Sequence, residues 1–343
     1  MIEVRMITFQ LTELCNNRCV YCYMGAPRIG IPRHLAAPDF LRITEVLRRE
    51  VKPDMISLSG GEPALHPEFP RMVAIAREQF PGVRLHLQTN GRAFRDEKLC
   101  RLVWALGVDT ITMSLQSHDP ELDERADGIP GRFPEVVRAL RNLVEAERRW
   151  LRPRLAVNIT VSELNAHSVA DTVEWLAGAG VRTVTANGMS PISAPSAPRA
   201  LDERSLSGVF AAARRAATRR GVQFANLHSF TLCEYDGRLE GNDHYACGIG
   251  RRFVDVDAAG CLVTCLFVQD EDARRVGPIL DGRPFAELWA DPKMDGIRCG
   301  AALPSKCRGC AMLSECGGPC LGRDCAADAG SQIQIGIRPG GVC

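Results

Sequence analysis

The strongest constraint on the fold is a repeated alternation, through the first two thirds of the chain, of short apolar runs with stretches of helical periodicity. Residues 5–12, 55–59, 84–89, 110–115, 154–161 and 182–186 have the length and composition of strands. Helical patterns follow them at 38–49, 68–79, 96–106, 133–149, 166–177 and 202–220. Six strand–helix units with crossovers of this length imply a parallel sheet with helices on its outer face, either open or curled into part of a barrel. The proline-rich segment 191–199 reads as a loop. From about Val222 cysteines and glycines dominate, and helical periodicity returns only around 285–297. A boundary near Gly221 therefore divides the chain into 1–221 and 222–343. The second part is too poor in long apolar elements to pack well alone.

Composition narrows the function classes. The 343 residues are 45% hydrophobic and 24% charged, an ordinary globular balance that excludes disordered and fibrous folds. Lys+Arg 42 against Asp+Glu 41 leaves a net charge of +1, and the pairs Arg214-Arg215 and Arg219-Arg220 make no basic stripe, so nucleic acid is not an expected partner. No apolar stretch approaches the roughly 20 residues of a spanning helix, and the opening MIEVRMITFQ alternates like a strand, which predicts a cytoplasmic protein without a membrane partner. Fifteen cysteines are then the anomaly. A reducing compartment disfavours disulfides, so the count points to metal or redox chemistry.

Cys15, Cys19 and Cys22 fall directly after the first strand. Their spacing suits three thiolates around one point, for a soft metal or an iron-sulfur cluster with one corner free. A zinc site with a missing ligand and buried structural thiols are the alternatives. Position adds to spacing, because the carboxyl ends of parallel strands are where such folds build their sites.

This loop resembles that of the radical S-adenosylmethionine (SAM) enzymes, whose signature Cys-x3-Cys-x2-Cys follows the first strand of a partial six-unit barrel. The resemblance implies a TIM-like partial (β/α)6 barrel in which these three thiolates hold a 4Fe-4S cluster whose fourth iron is chelated by SAM. Tyr21 matches an aromatic residue near the adenine. After the second strand, Gly60-Gly61-Glu62-Pro63 matches the segment that receives the SAM amino group, and close approach of a glycine backbone to that ammonium is the physical rationale. Thr89-Asn90-Gly91 ends the third strand as in the family. Ser114 and Gln116 lie where relatives reach toward SAM, although Gln116 departs from the common Asp. The stretch 123–133 looks like the family's link into the next helix. Asn158 and Asn187 occupy crevice-facing strand ends, with SAM or substrate contact weighed against a purely local role in turns.

The tail reads Cys247-x12-Gly260-x4-Cys265, then Cys307-x2-Cys310-x5-Cys316-x3-Cys320, and finally Cys343. It resembles the SPASM extension of the same superfamily, which implies two auxiliary 4Fe-4S clusters. The first would take Cys247, Cys265 and Cys320, and the second Cys307, Cys310, Cys316 and Cys343. One further ligand is wanted, for which Cys233, Cys261 or an open iron site compete, while Cys325 competes with Cys343. Zinc ribbons are the alternative reading of the tail. Cys100 falls on the apolar face of a helix and reads as packing.

The resemblance implies reductive cleavage of SAM to a 5′-deoxyadenosyl radical that abstracts a hydrogen atom from a substrate carbon. Electrons would come from an external donor such as flavodoxin or ferredoxin. Oxidation and epimerisation both stay open, and for the latter Cys233, Cys261, Cys299 and Cys325 are the candidate hydrogen donors. Many relatives with this tail modify ribosomal peptides and carry an extra leader-binding domain, whereas this chain starts almost at its first strand. The expectation is therefore a small metabolite such as a sugar, cyclitol or nucleoside. A peptide maturase or a formylglycine-generating activator is the second reading, and an iron-sulfur electron carrier or metal-binding module the third.

Overall fold

A computed structural model describes residues 1–24, 32–151, 153–190, 198–228, 247–268, 271–298, 307, 310–312 and 316–318. Seven parallel strands run in chain order across one sheet: β1 (Ile2–Gln10), β2 (Val51–Ser59), β3 (Arg84–Thr89), β4 (Thr110–Ser114), β5 (Arg154–Val161), β6 (Thr183–Gly188) and β7 (Gln223–Asn226). Between them lie α1 (Ala37–Glu50), α2 (Phe69–Gln79), α3 (Glu97–Ala105), α4 (Pro120–Asp127), α5 (Phe133–Trp150), α6 (Val169–Gly178) and α7 (Glu203–Arg220). Crossovers between neighbouring parallel strands share one hand, so successive helices stack on the same face. The expected α/β architecture is present as an open sheet: among the described residues no closed barrel forms, and the strand order is β10-β9-β8-β1-β2-β3-β4-β5-β6-β7.

The strands alternate along their length. Ile7, Phe9, Ile56, Leu58, Leu85, Leu87, Ile111 and Val157 are buried in the core under the helices, and Phe9 meets Phe40 of α1 edge-on at 4.9 Å. The residues between them point to the opposite face and are polar. Ser57 on β2 hydrogen-bonds His86 Nδ1 on β3 at 2.9 Å, and His86 Nε2 reaches Thr112 on β4 at 2.9 Å. Such alternation is unusual for parallel strands, which read as continuous apolar runs when both faces are packed. The inner face is therefore built to meet something polar.

The segment after Gly221 does not leave this sheet. Gln223–Asn226 becomes β7 beside β6. β8 (Phe253–Val256) pairs in parallel with β1 on its other side, and β9 (Cys261–Val263) and β10 (Arg275–Pro278) extend it antiparallel. Next to them are α8 (Glu271–Arg274), α9 (Phe285–Trp289) and α10 (Pro292–Arg298). Val254, Val256, Leu262, Ile279, Phe285 and Leu288 belong to the same apolar cluster as the first strands. The helix expected over 285–297 is two, interrupted ahead of Pro292, whose ring disfavours helical geometry in the residue before it.

Candidate active site

The loop after β1 is seated by the end of β2. Gly61 N–H donates to Thr12 O at 2.7 Å, and Glu62 N–H donates to Leu14 O at 2.7 Å. A Cβ on Gly60 would stand 2.6 Å from Thr12 O, and one on Gly61 2.4 Å from Leu14 O. The glycine pair is thus required by the loop's own backbone. This demand stands beside the close approach to a ligand ammonium that the resemblance implies. Gly60 also has a φ of 152°, which L side chains rarely adopt.

The Glu62 carboxylate is fully buried and accepts hydrogen bonds from Thr89 Oγ1 at 2.8 Å, Asn90 N at 2.7 Å and Ala64 N at 3.2 Å. It clamps the ends of β2 and β3 together. Burial pushes its pKa up to about 7 against the pull of those three donors. Pro63 opens the 3-10 turn Pro63–Leu65 that Glu62 caps.

Asn90 carries the seat onward: its Nδ2 donates to Asn16 Oδ1 at 2.7 Å and approaches Cys15 Sγ at 3.9 Å. Arg92 grips the same loop, donating to Asn16 O at 2.6 Å. Cys15 Sγ also accepts from Asn17 N at 3.4 Å. Cys22 N–H donates to Cys19 O at 3.1 Å, closing a tight turn. Cys15, Cys19 and Cys22 form no disulfide, and each feels its neighbours electrostatically.

On its far side the loop rests on α4. Arg18 N–H donates to Asp127 O and Val20 N–H to Ala126 O, both at 2.9 Å. Gly128, with a φ of 68°, ends the helix, and a Cβ there would lie 2.4 Å from Arg18 O. The Asp127 carboxylate accepts from Asn17 Nδ2 at 2.8 Å, Tyr21 hydroxyl at 2.7 Å and the Cys19 thiol at 3.4 Å. Arg132 pairs with both Asp127 and Asp123, the latter at 2.5 Å, and all three are buried. Desolvation raises Asp123 and Asp127 above the usual carboxylate range. Asp127 and Arg132 are site residues that sequence reasoning missed. The available signal was Asp123 and Asp127 four apart, which puts two carboxylates on one helix face.

The inner face of the sheet lies beneath the loop. Tyr23 hydrogen-bonds Ser59, and Gln10 Nε2 reaches Met24 Sδ at 3.4 Å. Asn158 donates to Asn187 Oδ1 at 2.8 Å and accepts from Thr185 at 2.9 Å, so the two predicted asparagines meet across β5 and β6. Ser114 pairs in register with Asn158. Gln116 is fully buried, its Oε1 accepting from Thr160 N at 2.7 Å while Nε2 has no partner among the described residues.

Several tail cysteines are described. Cys265 Sγ accepts from Phe267 N at 3.4 Å, and the Phe267 ring lies 4.5 Å from that of Tyr23, joining the segment of Cys265 to the residue after Cys22. Cys261 is buried in the β8–β9 hairpin, its N–H donating to Asp257 at 3.0 Å. Cys310 N–H donates to Cys307 O at 3.2 Å. Cys307 and Cys316 are buried and Cys247 is half-buried. Cys233, Cys299, Cys320, Cys325 and Cys343 lie outside the described residues. Among the described residues no three His, Cys, Asp or Glu side chains converge as a single metal ion requires. A cubane is held differently, since each thiolate binds its own iron. Three soft thiol donors on a loop moored on two sides fit such a cluster.

Comparison with known proteins agrees with this geometry. Residues 9–176 match the model of the radical SAM superfamily. The sporulation killing factor maturation protein SkfB of Bacillus subtilis is 31% identical over 173 residues, 50% of this chain and 40% of that protein. The AdoMet-dependent heme synthase of Methanosarcina barkeri is 25% identical over 94% of this chain and 93% of its own. The mycofactocin maturase MftC of Mycolicibacterium smegmatis is 25% identical over 92% and 77%. The crystal structure of Streptococcus suis SuiB bound to S-adenosylmethionine superposes with a TM-score of 0.74 at 17% identity, covering 92% of this chain and 72% of that one. The same protein bound to its precursor peptide SuiA gives 0.70 at 16% identity, with coverage of 93% and 72%. The chain spans less than half the length of SkfB, but it aligns with MftC almost throughout. The cysteine loop, its glycine seat, the strand order and these likenesses converge: the chain carries a radical SAM domain over residues 9–176 and shares the fold of radical SAM enzymes with a SPASM-type tail.

Proposed function

We propose that this enzyme matures a ribosomally made peptide by abstracting a hydrogen atom from one of its carbons. The observation that carries the reading is the inner face of the sheet, where Gln10, Ser59, Gln88, Ser114, Asn158 and Asn187 offer amides and hydroxyls. Such groups match the alternating donors and acceptors of a peptide backbone. The names of SkfB and MftC as maturases, and the peptide-bound SuiB structure, favour a peptide over the small metabolite expected from sequence. The heme synthase match keeps a small molecule as the second reading.

Cys15, Cys19 and Cys22 would hold a 4Fe-4S cluster, which together with SAM supplies a 5′-deoxyadenosyl radical. The chain's own work is positional. Gly60 and Gly61 let the loop lie flat on β2, Glu62 and Asn90 lock the strand ends beneath it, and Tyr23 covers the inner face at Ser59. Cys247, Cys265 and Cys320 would hold one auxiliary cluster, and Cys307, Cys310, Cys316 and Cys343 another. Flavodoxin or ferredoxin would supply electrons. Oxidation, crosslinking and epimerisation are the outcomes within reach of this chemistry. Among the described residues no helix is long and apolar enough to cross a membrane.

The test is anaerobic incubation of reconstituted enzyme with SAM, dithionite and deuterated precursor peptides encoded near its gene. Deuterium appearing in 5′-deoxyadenosine identifies the substrate. Transfer from a small metabolite alone would replace the peptide reading.

A further inference from the structure

Nothing in the loop's thiol spacing requires α4, yet the cluster loop is built onto it. The buried chain of contacts starts at the end of β4, where Gln116 N and Ser117 N donate to Asp123 Oδ1 at 2.8 and 3.3 Å. It passes through the Arg132 guanidinium to Asp127 and ends on Asn17, Cys19 and Tyr21. Asp123, Asp127 and Arg132 are each 0–1% exposed. Burying one guanidinium with two carboxylates costs several kcal/mol of desolvation per ion, so such a group is a poor way to gain stability. Its geometry gives it another use. Cys19 Sγ faces a carboxylate oxygen of Asp127 at 3.4 Å, and the Tyr21 hydroxyl hydrogen-bonds the same sulfur. Cys15 Sγ differs, since it receives a backbone N–H.

We infer that Asp127, held by Arg132, is a positioning residue for the radical cluster: it fixes Cys19 and Tyr21 in the loop and sets a carboxylate oxygen, where an amide would set an N–H, beside the Cys19 sulfur. The inference rests on the reading of Cys15, Cys19 and Cys22 as cluster ligands. N–H donors to cluster sulfurs stabilise the more negative, reduced cluster and raise its potential, whereas a carboxylate beside one of them disfavours added charge and keeps the cluster strongly reducing. That suits a centre that must pass an electron to a sulfonium.

Asp127→Asn tests this because it keeps the shape and puts an N–H₂ in place of one oxygen. The expected result is unchanged iron content, a reduction potential moved to less negative values, and an altered SAM-responsive EPR signal of the reduced cluster. 5′-Deoxyadenosine formation with a fixed reductant should fall at least tenfold. A potential and EPR signal identical to those of the unmodified enzyme would overturn the inference. Should Asp127→Asn fail to fold or load, Tyr21→Phe decides. It removes one donor from the same carboxylate oxygen, and the potential should move to more negative values, whereas an unchanged potential and spectrum overturn the proposal. The two readings fail separately: unmodified protein with no SAM-responsive cluster removes the ligand assignment, and a responsive cluster indifferent to both variants removes only the role of Asp127.

Discussion

The two faces of the sheet follow opposite rules. Toward the helices, Phe9, Leu58, Leu87 and Met113 are all 0% exposed and contribute burial energy. One residue away on the same strands, Ser57, Ser59, His86 and Thr112 form cross-strand hydrogen bonds or face the cluster loop. Within a single strand, stability and ligand recognition are thus separated by the pleat, and a change should damage one without the other.

Four measurements can break or sharpen that contrast. The largest effect is expected from Cys19→Ala, which should abolish SAM cleavage while leaving the urea midpoint of the apolar core in place; surviving turnover would remove the loop from the chemistry. Gly61→Ala comes next. Its Cβ would press on Leu14 O, displacing the loop, and 5′-deoxyadenosine formation should drop about 100-fold, as roughly 1 Å of misplacement can cost. Phe9→Ala removes a core ring and should cost about 3–5 kcal/mol in denaturant unfolding, with cleavage per folded molecule retained. Gln88→Ala, on the exposed inner side of β3, should move stability by only about 0.5 kcal/mol while raising the peptide KM. An unchanged KM would count against the peptide reading of the inner face.

Much of this was legible in the sequence where periodicity carries information. The limits of β3 and β5 coincide with the expected runs 84–89 and 154–161, because Leu85, Leu87, Leu155, Val157 and Ile159 alternate with polar partners. β1 begins earlier than its apolar run, at Ile2, because pairing with Val51 of β2 extends it. α4 was not expected as a helix: PELDERAD offers too few apolar residues for a periodic stripe, and its helix rests instead on the Asp119 cap, which accepts from Glu121 N and Leu122 N. β7 to β10, each of three or four residues, exist through their neighbours and leave little local pattern.

The site divides similarly. Cys15, Cys19 and Cys22 stand out by spacing, whereas Asn158 and Asn187, read as strand-end residues, lie within β5 and β6. What Glu62, Gly60 and Gly61 touch could not be read, because a ligand and a neighbouring backbone make the same demand on a glycine. The resemblance placed Arg132 in the link into the next helix, and only the structure shows its burial with Asp123 and Asp127.

The pairing of β8 with β1 bears on synthesis. β1 is an interior strand of the finished sheet, and one of its two partners, Phe253–Val256, is translated some two hundred and fifty residues after it. Until then its free edge needs shielding, since an unpaired strand edge templates aggregation. Nascent or truncated chains ending before residue 253 are consequently expected to depend on chaperones, and iron loading of a loop anchored to that strand belongs late in biogenesis.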